Sequence, residues 1–253
     1  MNYSNINNPK TLTLKIIPFF LILFFISTTI NAQFFQKKIK GNGDITIIKR
    51  TVSNYNEIGI GGNFEVTLVK GKEGLITIKA DDNLLEYIET IVKNGNLSIK
   101  VKKGFQIKPK KQVEITIPFN EIERVSLAGS GSIFTDEIIK SNELKLSLAG
   151  SGNMNLKVSA ENLDTNIAGS GNIIINGNAN TFKCSIAGSG NLNGYNLKAN
   201  KTTIHIAGSG DVKINVLNEL HSKIAGSGDV LYTGNPEIVK SKSAGSGSVK
   251  KKS

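Results

Sequence analysis

The chain has 253 residues, carries a formal net charge of +11 and contains one cysteine. A single cysteine cannot form an intrachain disulfide, so a small disulfide-stabilised fold is excluded. Apolar residues make up 39% of the chain and charged residues 20%, a balance that argues against a mostly disordered protein. The length fits one or two domains of ordinary size.

The N-terminal segment has the features of a secretory signal peptide. Lys10 and Lys15 precede the apolar run Ile16–Ile26, and short residues follow it up to Ala32. This order predicts export with cleavage after Ala32. The alternative is an N-terminal membrane anchor, but the run is shorter than the roughly 20 residues that span a bilayer. We therefore predict a signal peptide over residues 1–32 and a mature chain, without a transmembrane span, that begins at Gln33.

The tetrapeptide Ala-Gly-Ser-Gly recurs through the second half of the chain at intervals of 18 to 21 residues. An aliphatic residue precedes the alanine in six of the seven copies, and a short polar residue and then an aliphatic residue or Met follow each copy. Such a fixed period indicates a repeat architecture. The copies begin at Ala128, Ala149, Ala168, Ala187, Ala207, Ala225 and Ala244.

The residues between the motifs alternate between apolar and polar, as in Leu144–Leu148, which is the period of a strand with one buried face. The pattern is a strand, a glycine-containing corner and another strand, repeated every 19 to 20 residues. It predicts an all-β fold, a parallel β-solenoid whose motifs stack in one column. Glycine suits such corners because it accepts positive φ and lets neighbouring backbones approach. We expect structural turns at Gly129, Gly131, Gly150, Gly152, Gly169, Gly171, Gly188, Gly190, Gly208, Gly210, Gly226 and Gly228.

The first part of the mature chain is less regular. Asp81–Ile88 has a capping residue and the apolar spacing of one or two helical turns. Asn94-Gly95 lies between two apolar runs and predicts a hairpin. We expect one domain over residues 33–253, divided into an irregular part 33–124, the repeats 125–249 and a basic tail 250–253.

Several segments together resemble a known family. They are Asn56–Val66, Ala80–Thr90, Asn94–Ile99 and the Ala-Gly-Ser-Gly series, and they occur in the family's order from about Val52 to Val249. The chain is similar to the head GIN domain proteins, exported Bacteroidetes-type proteins named auto-transporter adhesins. The resemblance implies a right-handed parallel β-helix and an adhesive role, and it brings no catalytic residues.

A lysine-rich segment is the sharpest functional feature of the sequence. No acidic residue lies between Glu89 and Glu114, so this segment is a candidate binding patch for glycans or anionic surface polymers. The alternative is a solvated face that only aids solubility. Nucleic acid is not an expected partner, because Arg50 and Arg124 are the chain's two arginines and the protein is predicted to be exported. The candidate lysines are Lys93, Lys100, Lys102, Lys103, Lys108, Lys110 and Lys111.

The other chemistry-bearing residues favour structural roles. Asp211 and Asp229 occupy equivalent places in adjacent coils, but Asn fills the same place in other copies, so a turn residue is the better interpretation than a metal ligand. His205 is expected to point outward, and Cys184 to be a small buried apolar residue. We expect no catalytic residues, no metal and no cofactor.

The leading hypothesis is an exported, non-catalytic binding or adhesion module of the cell envelope or surface. It would lie in the periplasm, on the outer-membrane surface or outside the cell, and bind an extracellular glycan or cell-surface polymer. A polysaccharide-acting enzyme and a purely structural envelope protein are the alternatives. The oligomeric state and the export route beyond the signal peptide stay open.

Overall fold

The structure, a computed structural model, describes residues 36–252. The predicted signal peptide and its cleavage site after Ala32 lie outside these residues. The described chain is nearly all β-strand, with one short 3-10 helix, Asp82–Tyr87. Within this part of the chain, no helix has the length and apolar character needed to cross a membrane.

The N-terminal part contributes nine strands. They are β1 (Lys37–Lys40), β2 (Ile45–Thr51), β3 (Glu57–Gly61), β4 (Phe64–Lys70), β5 (Leu75–Asp81), β6 (Ile88–Lys93), β7 (Asn96–Val101), β8 (Phe105–Lys108) and β9 (Val113–Phe119). The remaining strands form the repeats. They are β10 (Arg124–Gly129), β11 (Ser132–Gly150), β12 (Asn153–Gly169), β13 (Asn172–Gly188), β14 (Asn191–Gly208), β15 (Val212–Gly226), β16 (Val230–Thr233), β17 (Ile238–Ala244) and β18 (Val249–Lys251).

The repeats wind into the predicted β-solenoid. Each of β11 to β14 begins just after one Ala-Gly-Ser-Gly motif, runs around a whole coil and ends on the Ala-Gly of the next motif. Successive coils pair in parallel, so that Ala149 lies opposite Ala168 and Ala168 opposite Ala187. The prediction of stacked coils with the motifs in one column is confirmed.

The core is a column of aliphatic side chains inside the coils. The six aliphatic residues that precede motif alanines are at most 3% exposed, and the apolar residues two positions after the first six motifs, from Ile133 to Val230, are at most 1% exposed. Each fully buried aliphatic side chain of this kind contributes about 2 kcal/mol of transfer free energy. No coil can enclose its own residues, so stacking supplies the core.

The two glycines of each motif meet different constraints. Gly188 has a φ of +123°, and a Cβ there would lie 2.5 Å from the carbonyl oxygen of Gly169. Gly190 has no such φ, but a Cβ on it would lie 2.5 Å from the carbonyl oxygen of Gly171. Both contacts are far too short for a side-chain carbon. The column therefore requires glycine at both positions, the first for its backbone conformation and both for close approach.

The short polar residues after the motifs form a ladder along the same corner. Asn172 Nδ2 donates to Asn153 Oδ1 over 3.2 Å, and the backbone N–H of Asp229 donates to Asp211 Oδ1 over 2.8 Å. The predicted turn role of these side chains is confirmed. At the end of the ladder, hydrogen bonds from Ser248 to the carboxylate hold the pKa of Asp229 below its usual value.

The irregular part extends the same sheet with further strands. β3 pairs in parallel with β10, which places Gly61 opposite Ala128, and β7 pairs in parallel with β3. β4 pairs with β11 on the next side of the coil. Residues 57–66 thus form a degenerate copy of the repeat.

The predicted hairpin closes this end of the sheet. β6 runs antiparallel to β7, and the turn between them has positive φ at Asn94 (51°) and Gly95 (75°). Two consecutive positive φ angles are those of a type I′ turn, which matches the twist of the flanking strands. β6 therefore covers the outer edge of β7.

Two details differ from the sequence interpretation. Asp81 precedes the 3-10 helix but makes no capping hydrogen bond; its buried carboxylate instead accepts the backbone N–H groups of Gly43 (2.6 Å) and Lys110 (3.1 Å). The segment predicted as a basic tail is not a separate tail, because Lys250 and Lys251 belong to β18, which pairs with β16.

Candidate functional site

A long groove follows the motif alanines across the solenoid. Because the residue before each alanine points into the core, the alanine itself points outward, and all seven motif alanines are exposed. The groove above them has a volume of about 990 Å³. We call it the alanine groove, and its central row of residues is Lys100, Gly61, Ala128, Ala149, Ala168, Ala187, Ala207, Ala225 and Ala244.

The second row of the groove is also built of small side chains for most of its length. It comprises Ser98, Gly59, Ser126, Ser147, Asn166, Ser185, His205, Lys223 and Lys242. These residues belong to β7, β3, β10 to β15 and β17. Nine neighbouring strands at about 4.8 Å per spacing make the groove roughly 38 Å long.

Lysines stand at both ends of the groove. Lys100 is at the β7 end, with its ammonium nitrogen 3.9 Å from Glu89 Oε2. Lys223 and Lys242 are at the β17 end. Between the ends, the lining is alanine, serine, one asparagine and partly accessible aliphatic atoms. The site can therefore accept an elongated molecule that lies flat on the sheet and carries negative charge near its ends.

The seven candidate lysines are placed on different segments. Lys100 is the one that lines the alanine groove. Lys102 and Lys103 follow β7 and line a smaller cavity of about 390 Å³. Lys110 has a structural task, since its ammonium group donates to the carbonyl oxygen of Asn42 over 2.7 Å. The remaining members lie at the end of β6 (Lys93), at the end of β8 (Lys108) and just before β9 (Lys111).

His205 and Cys184 have the exposure that the sequence predicts. His205 is exposed and lines the groove, and Cys184 is buried. Burial raises the pKa of the Cys184 thiol to about 12, so it stays protonated. His221 contacts Glu219, with 2.5 Å between Nε2 and Oε1. Across residues 36–252, no group of three or more His, Cys, Asp or Glu side chains is arranged to hold a metal ion.

Sequence reasoning missed the alanine groove. It assigned the motif to a corner and did not follow the alternation one residue back, where buried Leu148 or Ile167 forces the next alanine outward. It also considered Lys223 and Lys242 only as part of the total charge. Lys223 and Lys242 are one coil length apart in sequence, and residues one coil apart lie opposite each other on stacked strands. This spacing could have placed the two lysines side by side.

Solved structures share this architecture. A "putative lipid binding protein" from Parabacteroides distasonis is 29% identical, with a TM-score of 0.72 over 86% of this chain and 100% of that chain. A "putative adhesin" from Bacteroides fragilis is 24% identical (TM-score 0.78, 84% of this chain, 99% of that chain), and one from Parabacteroides merdae is 23% identical (0.70, 86% and 100%). Because the two putative adhesins are each less than 25% identical to this chain, the comparisons with them show a shared fold and nothing more.

No curated protein matches the sequence. Residues 54–236 match the family described as "Putative auto-transporter adhesin, head GIN domain". This range covers the hairpin, the degenerate first copy and six of the seven motifs, and therefore both rows of the groove except their β17 end. The chain belongs to the head GIN domain family.

Proposed function

We propose that this protein is an exported, non-catalytic binding module of the cell envelope or surface that holds an extended anionic polymer, such as an acidic glycan, along the alanine groove. Membership of a family described as adhesin heads supports a surface binding module. Export rests on the signal peptide predicted for residues 1–32.

The observation that carries the proposal is the shape of the groove. Its small side chains run without interruption from Ser98 to Ser185, so the backbone of a polymer can approach the sheet closely. Lys100 and Lys223 supply positive charge about 34 Å apart, a distance that suits a chain and exceeds a single small molecule. Because these charges are exposed, binding is expected to weaken as salt is added.

The groove also supports a role in binding without catalysis. Nucleophilic catalysis needs a base within hydrogen-bond reach of the nucleophile and a group that orients the base. Ser185 and His205 lie opposite each other on paired strands. In the described part of the chain, however, His205 makes no hydrogen bond to a serine or a carboxylate.

Filling the groove tests the proposal. Ala187→Phe places a large ring in the middle of the alanine row, and Ile174→Phe adds a ring to another exposed face of the same coil. We expect Ala187→Phe to weaken binding to an acidic polysaccharide by at least about tenfold, the cost of roughly 1.4 kcal/mol of lost contact. Ile174→Phe should leave binding unchanged.

The measurement is a titration of the full chain with acidic and neutral polysaccharides, with thermal unfolding of both variants as a folding check. Equal affinity of Ala187→Phe and the wild type would contradict a ligand in the groove. Release of new reducing ends or unsaturated sugars during the titration would contradict the non-catalytic role and favour a polysaccharide-acting enzyme.

A further inference from the structure

The last coils carry a group of basic side chains at the β17 end of the alanine groove. His205, Lys223 and Lys242 are consecutive in one outward row, and His221 and Lys240 are consecutive in the neighbouring row. Buried residues such as Ile204 and Ile224 alternate with them, so all five point away from the core. We call these five residues the basic cluster.

The positive charge of the cluster is only partly balanced by the acids of residues 36–252. Lys223 and Lys242 lie directly opposite each other on paired strands, an arrangement that destabilises a sheet when the charges are alike. Across residues 36–252, no carboxylate forms an ion pair with Lys223, Lys240 or Lys242.

The acid nearest in register is Glu219, and it is already engaged by His221. Lys157 shows how the solenoid can compensate a lysine across coils, because its ammonium nitrogen lies 2.9 Å from Asp136 Oδ1 on the adjacent coil. Counting the lysines and the glutamate alone, three positive charges stand against one negative charge, which leaves two positive charges.

The cluster surrounds a space that is continuous with the groove. A cavity of about 680 Å³ is lined by members of both rows together with Thr203 and Val239. His205, Lys223 and Lys242 line this cavity and the alanine groove alike. A charged group held here can therefore belong to the same molecule that lies in the groove.

We propose that the basic cluster binds a phosphate ester carried by the polymer that occupies the alanine groove; the inference thus rests on the proposed function. A phosphate monoester has a charge of about −1.5 to −2 near neutral pH and three acceptor oxygens. It matches the two uncompensated charges and the several N–H donors of Lys223, Lys242 and His205. A carboxylate brings one charge and two oxygens, so the cluster is expected to prefer phosphate.

The experiment compares a phosphomannan that bears phosphate monoesters with the same polymer after phosphatase treatment. The full chain should bind the phosphorylated form at least about tenfold more tightly, because hydrogen bonds to charged groups are the strong ones. In the double variant Lys223→Gln, Lys242→Gln this preference should vanish. The matched control Lys198→Gln, Lys213→Gln removes equal charge from rows of β14 and β15 outside both cavities and should keep it.

Three results would overturn the inference. Equal loss in the control variant would reduce the effect to net charge. Equal affinity for a uronic acid polymer without phosphate would remove the phosphate preference. Binding of glucose 1-phosphate as tight as that of the phosphomannan would make the ligand a free phosphate compound rather than a polymer.

The two proposals can fail separately. If Ala187→Phe abolishes polymer binding but phosphatase treatment changes nothing, the groove function stands and the phosphate site is wrong. If glucose 1-phosphate binding depends on Lys223 and Lys242 while no polymer binds, the anion site stands alone and the proposed function is wrong.

Discussion

The glycines of the corner column set how closely the coils stack. A Cβ on Gly190 would lie 2.5 Å from the carbonyl oxygen of Gly171 and 2.6 Å from Ile167 Cγ2. Neither neighbour can retreat, because the first is backbone and the second is packed in the core. A substitution here must push two coils apart.

Gly190→Val is therefore expected to destabilise the protein by about 3 kcal/mol or more, at the upper end of the range for overpacking. Gly247→Val meets equally short contacts with Gly228 and Ile224, but it belongs to the last coil. That coil can move away from its one neighbour, so we expect a loss of about 1 kcal/mol, as for local fraying.

Thermal or denaturant unfolding of the two valine variants measures this difference. Ala187→Val is the control, since its side chain points into the open groove of the same coil and should change stability by less than about 0.5 kcal/mol. Similar losses from Gly190→Val and Gly247→Val would argue that the corner contacts do not transmit strain through the stack.

At the scale of secondary-structure elements, the regular coils could be predicted from sequence and the irregular ones only in part. The period of Ala-Gly-Ser-Gly fixes which residues stack, and Asn94-Gly95 fixes the hairpin. The pairing of β4 with β9 joins segments far apart in sequence with no repeat to align them. The hydrogen bonds of Asp81 could not be predicted for the same reason. The backbone N–H groups that donate to its carboxylate belong to Gly43 and Lys110, which lie in separate loops.

The lysine-rich segment gives a test at this same scale. Lys100, Lys102 and Lys108 lie on β7, on the loop after it and on β8, and Lys100 lines the groove at the end opposite the basic cluster. Replacing all three by Gln should weaken binding to an acidic polymer longer than the groove by about tenfold and flatten its salt dependence, since the lost charges lie within a Debye length of the ligand.

The matched control removes equal charge elsewhere. Lys250→Gln, Lys251→Gln and Lys252→Gln change β18 and the residue after it, which do not line the alanine groove. Titration at 50 and 200 mM salt should show a smaller loss for this set. If both triple variants lose affinity equally, the binding depends on net charge and not on the position of the lysines in the lysine-rich segment.

At the scale of the whole molecule, the groove and the core are two faces of one repeat. Each added coil buries another aliphatic layer and lengthens the groove by one strand spacing, because a solenoid contacts only its neighbours. Stability and ligand length are therefore coupled through the number of coils. The β6–β7 hairpin closes one end of this stack, whereas β17 at the other end keeps an unpaired, fully exposed edge with two lysines.

The signal peptide predicted for residues 1–32 gives the last prediction. We expect the exported protein to begin at Gln33, because the apolar run Ile16–Ile26 is too short to anchor the chain and ends near the small residue Ala32. Cleavage there leaves only residues 33–36 ahead of β1, whose first residue, Lys37, donates its backbone N–H to the carbonyl oxygen of Gly104 over 2.8 Å.

Intact-mass measurement of the protein from native cells tests where the chain begins. Ala32→Phe, which removes the small residue at the cleavage site, should leave residues 1–32 on the chain. A wild-type mass that includes residues 1–32 would contradict cleavage after Ala32.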